Sequence, residues 1–313
     1  MIDQYGRNIT YLRLSVTDQC NLHCIYCSTG NRTDYTQCSA EELIRIVRIL
    51  ADLGITKVRI TGGEPLRRKD LEQIIAGISS IKGITDIPMT TNAIGLADRI
   101  SDLKKAGLSR VNISLDSLKP ERYARITGSN ALSEVLKGIE AGISEGMNVK
   151  INTVLMKGIN DDEADDLIAL GKKWPVSVRF IEMMPIGNFA ASHQKETVLN
   201  TEILASHPQL IPVRNNSCGV ASVYQMPGYL GTVGFISSIS HRFCSSCNRI
   251  RITSDGKIKP CLGNNDETDL LPLFKLSDER LKEMIQNAIL LKPAGHHFGE
   301  SVVLDRNMRE TGG

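Results

Sequence analysis

The segment RLSVTDQCNLHCIYC, residues 13–27, decides the fold of this chain of 313 residues. A short strand-like run leads directly into Cys20, Cys24 and Cys27, which have the spacing C-x3-C-x2-C. Three thiols this close cannot all pair as disulfides. They can converge on one soft metal centre, as the closely spaced cysteines of ferredoxins do.

Composition narrows the classes of protein that this chain can belong to. Hydrophobic residues make up 41% and charged residues 23%, which is ordinary for a folded soluble protein. The net charge of +2 predicts binding to neither nucleic acid nor membranes. The longest apolar runs, such as residues 288–291, fall far short of the roughly 18 residues that a membrane span needs. No signal peptide is visible, so we expect a cytoplasmic protein whose eight cysteines act as ligands or catalysts.

The first 185 residues alternate strand-like runs with amphipathic helical patterns. Ser39 is predicted to cap the first helix ahead of an acidic turn. Alternating strands and helices predict an α/β fold with a parallel sheet, either doubly wound or a partial (β/α) barrel. Both folds place their sites at the carboxyl ends of the strands. The strands are predicted at residues 11–16, 57–61, 87–91, 110–115, 148–155 and 177–183.

The pattern changes after about residue 210, which predicts a domain at 1–210 and a smaller region at 211–313. Short strands are predicted there at 211–213, 222–225, 232–237 and 249–253, and one helix at 278–291.

A second group of cysteines lies in this later region, with the spacing C-x2-C-x13-C at Cys244, Cys247 and Cys261. Asn264 stands where a zinc ribbon would place a fourth cysteine. We favour one 4Fe–4S cluster in each group, with three thiolates leaving one iron open for a ligand. The alternatives are zinc sites, completed in the first group by His23 or Cys38 and in the second by His241.

Two arginines follow Cys247 at alternate positions of a predicted strand. Arg249 and Arg251 therefore point to the same face. Guanidinium groups can hold phosphate oxygens bidentately, which favours an anionic substrate. The alternative is a pair of solvated arginines.

The C-x3-C-x-aromatic-C loop resembles that of the radical S-adenosylmethionine (SAM) enzymes. The turn at residues 62–65, Gly-Gly-Glu-Pro, resembles the Gly-Gly-Glu motif of those enzymes. The segment FCSSCNRIR at 243–251, with the final Gly312-Gly313, extends the resemblance to the GTP 3′,8-cyclases, the molybdenum cofactor biosynthesis protein A family. This resemblance implies a partial (β/α)6 TIM-like barrel, followed by a smaller C-terminal α+β region that carries a second cluster.

The resemblance also implies roles for individual residues. Cys20, Cys24 and Cys27 would hold the SAM-binding 4Fe–4S cluster, and Cys244, Cys247 and Cys261 the second one. The residues that match SAM contacts are Tyr26, Gly63, Ser114 and Met184. The residues that match GTP contacts are Arg13, Arg59, Thr90, Lys150, Arg249 and Arg251. The first cysteine group, with Arg249 and Arg251, would be the catalytic set. The double glycine, Gly312-Gly313, would enter the active site. Ala93 stands where members of this family usually have a glycine.

The implied reaction converts GTP to (8S)-3′,8-cyclo-7,8-dihydroguanosine 5′-triphosphate in molybdenum cofactor biosynthesis. The implied partners are an electron donor such as a flavodoxin or ferredoxin, the next enzyme, cyclic pyranopterin monophosphate synthase, and a second copy of the chain. Two other hypotheses stay open: a peptide-modifying radical SAM enzyme with an auxiliary cluster, and a metal-stapled binding protein that is not an enzyme. Cys38 and Cys218 match no ligand position.

Overall fold

The computed structural model describes residues 1–27, 37–213, 220–296, 298 and 304–312. Cys218 and Gly313 lie outside the described residues. Helices and strands alternate along the first two thirds of the chain, as predicted. The strands are β1 Tyr11–Ser15, β2 Lys57–Thr61, β3 Pro88–Thr91, β4 Arg110–Ser114, β5 Asn148–Thr153, β6 Ser177–Ile181, β7 Ile211–Pro212, β8 Ser222–Gln225, β9 Thr232–Ile236, β10 Arg249–Ile252, β11 Lys257–Lys259 and β12 Thr268–Asp269.

The longer helices cover the outer face of the sheet. Nine helices are present among the described residues. They are α1 Ala40–Asp52, α2 Leu71–Ser79, α3 Leu96–Ala106, α4 Pro120–Thr127, α5 Leu132–Ser144, α6 Ala164–Lys173, α7 Asn188–Ser192, α8 Asn200–Ser206 and α9 Asp278–Leu290. The predicted cap of α1 is present: Ser39 accepts from the Glu42 backbone, and the Glu42 carboxylate accepts from the Ser39 backbone at 2.8 Å. Of the described helices, none combines the length and apolar character needed to cross a bilayer.

All twelve described strands form one sheet in the order β12-β11-β10-β1-β2-β3-β4-β5-β6-β9-β8-β7. The eight strands from β10 to β9 are parallel, and the two beyond each end are antiparallel. The sheet does not close over the described residues, and β1 to β6 lie in chain order without the reversal of strand order that marks a doubly wound sheet, so it is a partial barrel. This confirms the partial-barrel prediction over the doubly wound one.

The later part of the chain extends both edges of the barrel sheet. β9 pairs with β6 and β10 pairs with β1, both in parallel. The predicted boundary at residue 210 stays a prediction, although strands from both sides of it share this sheet. α4, α7, α8, β11 and β12 were not predicted, because their apolar patterns are too short to show a period.

The inner and outer faces of the sheet differ in chemistry. Because side chains alternate along a strand, residues two apart share a face. Val and Ile side chains such as Val58, Ile60, Val111 and Ile113 are fully buried beneath the helices. Polar residues occupy the opposite face, and several of them are cationic. The parallel sheet therefore has an apolar core on its outside and a polar interior where a site can form.

Candidate active site

The inner face of the partial barrel encloses a cavity of about 960 Å³. The cavity extends from the cysteine loop at the carboxyl ends of the strands to their amino-terminal ends, where Thr10, Thr56 and Asn148 line it. All sixteen residues proposed as site residues line this one cavity: Arg13, Cys20, Cys24, Tyr26, Cys27, Arg59, Gly63, Thr90, Ser114, Lys150, Met184, Cys244, Cys247, Arg249, Arg251 and Cys261. The structure thus brings together residues that are up to 248 positions apart, from Arg13 to Cys261.

The Gly-Gly-Glu turn packs directly on the first cysteine loop. Gly63 N–H donates to the Thr17 carbonyl and Glu64 N–H donates to the Gln19 carbonyl, both at 2.7 Å. A Cβ atom on Gly63 would lie 2.4 Å from the Gln19 carbonyl oxygen, closer than any real Cβ contact. Glycine is therefore required here by the close approach of two backbones.

Glu64 ties this turn to the next strand end. Its buried carboxylate accepts hydrogen bonds from Thr91 Oγ1 at 2.7 Å, from the Asn92 backbone at 2.6 Å and from the Leu66 backbone at 3.0 Å. Burial outweighs these bonds and raises the pKa of Glu64 to about 7. Ala93, which follows Asn92, has a φ of 64°. This is the left-handed region, which favours the glycine that is usual at this position in the family that the sequence resembles. Alanine thus occupies a backbone conformation that glycine would adopt at lower cost.

The three thiols of the first group resist ionisation when no cation is bound. Burial, followed by the charge of neighbouring thiols, raises the pKa of Cys27 to about 12, and the same two causes raise the pKa of Cys24 well above its usual range. Burial also raises the pKa of Cys20. Metal ligation requires thiolates, so these side chains suit a centre that is itself strongly cationic.

The zinc alternatives find no support in the described part of the chain. No group of three His, Cys, Asp or Glu side chains there is arranged to hold a single metal ion. Cys38 is 1% exposed and lies away from the cavity, with its sulfur 2.9 Å from a Cβ built on Gly256. His23 and His241 are exposed. The proposed fourth zinc ligands therefore do not line the cavity with the cysteines.

The second cysteine group borders the cavity at the β10 edge. Cys244 begins a single 3-10 turn, and the Cys247 backbone donates to its carbonyl at 3.2 Å. Burial opposes ionisation of Cys247, but the charges of Arg249 and Lys292 outweigh it and lower its pKa to about 7. The Arg249 guanidinium also lies 4.9 Å from the centre of the Phe243 ring. This group therefore already has cations beside its thiols.

Cationic side chains line the cavity between the two cysteine groups. Arg59 donates to Thr90 Oγ1 at 3.2 Å and to the Tyr11 hydroxyl. Burial, then repulsion from Arg179 and Arg110, lowers the pKa of Lys150 to about 7. The other cations that line the cavity are Arg7, Arg13, Lys57, Arg249, Arg251, Lys292 and Arg309. So much positive charge on one inner face favours a polyanionic ligand.

Four buried polar atoms of strand residues that line the cavity have no hydrogen-bond partner: Arg110 Nε, Asn112 Oδ1, Asn152 Oδ1 and Arg179 Nε. Burial and repulsion from Arg59 lower the pKa of Arg179 to about 10. Unsatisfied buried polar groups are costly. A ligand that offers both donors and acceptors would satisfy all four.

The C-terminal segment enters the site. Arg306 anchors it through ion pairs to Asp255 at 2.8 Å and Glu267 at 2.7 Å. A 3-10 helix, Met308–Thr311, then leads to Gly312, whose carbonyl accepts from Arg13 Nη2 at 2.8 Å. The Arg309 backbone hydrogen-bonds to Cys27. The tail thus lines the cavity through Met308 and Arg309, and Gly312 contacts one of its cations; entry of the double glycine into the active site stays a prediction.

Sequence reasoning missed several residues of this face, including Tyr11, Lys57, Asn112, Asn152 and Arg179. The signal that could have found them is the period of two along each strand. Tyr11, Lys57, Asn112 and Asn152 each lie two residues from a proposed site residue on their own strand. Arg179 lies directly opposite Asn152 in the β5–β6 pair. Asp116 was also missed; it accepts from the Tyr26 hydroxyl at 2.6 Å, and burial raises its pKa to about 6.

Comparison with solved structures supports the fold. The structure of Streptococcus suis SuiB bound to S-adenosylmethionine matches with a TM-score of 0.59 and 20% identity, covering 87% of this chain. This chain spans 64% of that protein, less than two thirds of its length. The structure of anSMEcpe with bound AdoMet matches with a TM-score of 0.54 and 15% identity, covering 90% of this chain and 84% of the other.

Comparison with known sequences shows which family the chain belongs to. A family model described as the radical SAM superfamily matches residues 14–171, and one described as Molybdenum Cofactor Synthesis C matches residues 176–298. A GTP 3′,8-cyclase from Clostridium botulinum is 47% identical over 96% of this chain and 95% of its own length. A GTP 3′,8-cyclase from Alkaliphilus metalliredigens is 44% identical over the whole of both chains. The cysteine-lined, cation-rich cavity thus lies in a chain that belongs to the GTP 3′,8-cyclase family of the radical SAM superfamily.

Proposed function

We propose that this chain cyclises GTP to (8S)-3′,8-cyclo-7,8-dihydroguanosine 5′-triphosphate, a step of molybdenum cofactor biosynthesis. The observation that carries the proposal is the single cavity with a three-cysteine group at each of two borders and a cationic face between them. One group alone would suit many radical SAM reactions. Two groups facing one polyanion site suit a nucleotide held between two centres.

The first group, Cys20, Cys24 and Cys27, would hold a 4Fe–4S cluster with SAM at its open iron. Bound there and reduced, this cofactor pair supplies a 5′-deoxyadenosyl radical that can take the 3′ hydrogen of GTP. Gly63 presents its backbone without a side chain, and Tyr26, Ser114 and Met184 line the same end of the cavity. These four residues would position SAM.

The second group, Cys244, Cys247 and Cys261, would hold a 4Fe–4S cluster that would bind the guanine of GTP. The lowered pKa of Cys247 fits a ligand that must be a thiolate. Arg249 and Arg251 would hold the nucleotide beside this cluster, since their strand position places both on the cavity face.

The triphosphate would rest on side chains, because the sequence has no G-x4-G-K-[ST] loop. Arg13, Arg59, Thr90 and Lys150 are the proposed contacts. In the free protein, burial followed by repulsion from neighbouring arginines lowers the pKa of both Lys150 and Arg13. Binding of a polyanion would remove this repulsion, so part of the affinity comes from relief of strain already present in the site.

The chemistry also requires partners. Reduction of the first cluster calls for a low-potential donor, for which we propose a flavodoxin or ferredoxin in the cytoplasm. The cyclic product would pass to cyclic pyranopterin monophosphate synthase. A homodimer is proposed as the working form.

Anaerobic reconstitution with iron and sulfide, followed by SAM, reductant and GTP, tests the proposal. We expect about eight irons per chain with little zinc, and formation of 5′-deoxyadenosine together with a cyclised GTP product. Formation of 5′-deoxyadenosine without any GTP-derived product, or iron for only one cluster, would contradict it. Turnover of a peptide in place of GTP would instead favour the peptide-modifying alternative.

A further inference from the structure

A buried lysine joins the two halves of the second cysteine group. Lys292 follows α9 and is only 2% exposed. Its ammonium donates to the carbonyl of Arg249, two residues after Cys247, and to the carbonyl of Pro260, the residue before Cys261. Both distances are 2.8 Å. One side chain thus connects the two ends of the thirteen-residue segment between Cys247 and Cys261.

The segment that carries Lys292 is itself fixed to the remaining cysteine. The Arg7 guanidinium donates to the Cys244 carbonyl at 3.1 Å and to the Pro293 carbonyl at 2.7 Å. Arg7 is also buried, and Asp3 is its acidic partner at 2.6 Å. Arg7 and Lys292 together therefore hold the backbone beside all three cysteines.

Unlike Arg7, Lys292 has no carboxylate partner among the described residues. Both of its hydrogen-bond acceptors are neutral carbonyls. The groups near it that favour its charge are the thiols of Cys247 and Cys261. A buried ammonium without a counter-anion is costly, and proteins keep such charges where an anion is present in the working state.

We propose that Lys292 is the buried counter-cation of the second metal centre, which positions Cys247 and Cys261 through their neighbouring carbonyls and offsets the negative charge of the thiolate-bound cluster. This inference rests on the proposed function, which assigns a cluster to these cysteines. A cluster held by three thiolates becomes more negative on reduction, and its reduction potential depends on net charge and nearby hydrogen bonds. A fixed positive charge beside it therefore makes reduction easier.

The experiment uses the full chain with Cys20, Cys24 and Cys27 replaced by Ser, so that only the second cluster contributes signal. Lys292→Gln removes the charge but keeps a donor, and Lys292→Arg keeps the charge. Lys104→Gln is the control, because Lys104 also donates to a backbone carbonyl, that of Glu145, but does not line the cavity. Iron per chain and the midpoint potential, from titration followed by electron paramagnetic resonance, are measured for each variant.

We expect a more negative midpoint potential in Lys292→Gln, and values close to the parent in Lys292→Arg and Lys104→Gln. Loss of the cluster in Lys292→Gln with retention in Lys292→Arg would also support a counter-cation. Full iron and an unchanged potential in Lys292→Gln would overturn the proposal, as would equal loss of the cluster in both Lys292 variants. If the parent holds no iron that Cys247→Ser removes, the cluster assignment fails instead.

Discussion

Arg13 and Arg251 are direct neighbours across the β1–β10 pair, and both guanidiniums donate to the carbonyl oxygen of Gly312. Arg251 also donates to the Thr311 carbonyl at 3.0 Å. Burial and repulsion from Arg251 lower the pKa of Arg13. The tail carbonyls compensate part of this repulsion and fix the two cations on the β1–β10 side of the cavity.

Gly312→Ala should therefore displace the tail. Gly312 has a φ of 78°, and a Cβ there would lie 2.5 Å from Thr61 Oγ1. We expect GTP cyclisation to fall sharply, while SAM cleavage without GTP, iron content and melting temperature stay close to wild type. Product assays and thermal melting measure this.

Gly228→Ala is the matched control, because Gly228 has the same φ of 78° with nothing within 4 Å of the added Cβ. Gly228→Ala introduces the same unfavourable backbone conformation without a steric clash of the added Cβ. Equal cyclisation rates in the two variants would show that docking of the tail does not matter.

The two cysteine groups should separate in their effects. Cys24→Ala should abolish reductive cleavage of SAM, because it removes a ligand of the SAM-binding cluster. Cys247→Ala should keep part of this cleavage and lose cyclisation of GTP. Both products are quantified after anaerobic reconstitution. Identical behaviour of the two variants in the cleavage assay would contradict a division of labour between the groups.

Arg179→Met tests the unsatisfied guanidinium on β6. Charge-assisted contacts to a partly buried anion are worth about 1.5–3 kcal/mol, so GTP affinity should fall by about tenfold to a hundredfold. The melting temperature of the free protein should not fall, because the variant removes a half-buried charge that Arg59 and Arg110 repel. Calorimetric titration and thermal melting give the two values.

Arg280→Met provides the comparison for Arg179. Arg280 is exposed on α9 and pairs with Glu283. It should change neither measurement. An Arg179 variant that binds GTP as wild type does would mean that this guanidinium does not face the nucleotide.

GTP affinity should fall as pH rises above about 7, the pKa to which burial and repulsion lower Lys150. Above that pH the free protein has lost the Lys150 proton, and binding of an anion must restore it. The dissociation constant should therefore rise by up to about tenfold per pH unit, with proton uptake on binding. Tyr11, whose pKa is lowered to about 8 despite burial, adds to this trend because its phenolate repels the nucleotide.

Lys150→Arg is the control for this pH dependence, because arginine stays protonated throughout. Its affinity profile should be flatter between pH 7 and 9 than that of the wild type. A wild-type affinity that is constant over this range would exclude Lys150 as a contact.

The strands of the partial barrel were predictable because buried parallel strands are short β-branched runs between capped helices. β2 and β8 were predicted with their observed bounds, residues 57–61 and 222–225. The predicted ends of β5 and β6 were each two residues too long, because the apolar character continues into Leu155 and Met183 after the pairing ends. Pairing depends on neighbouring strands, which local sequence does not contain.

The site residues with motif spacing were predictable, and those recognised only by position were not. The cysteine groups are recognisable from their spacing alone. Asn112 and Arg179 look like ordinary strand residues until the sheet shows which face they share. The linear sequence also separates Lys292 from Cys247 by forty-five positions, so its contact beside that group appears only in the fold.

The pairing of β1 with β10 has a consequence for the order of synthesis. β1 is made first, but one of its two neighbours is residues 249–252. Until that stretch leaves the ribosome, β1 has an open edge of unpaired N–H and C=O groups, and such edges template aggregation. The first cysteine loop directly follows β1, the strand whose edge stays unpaired during this time. Assembly of the nascent chain therefore depends on protection of one early strand while more than two hundred further residues are translated.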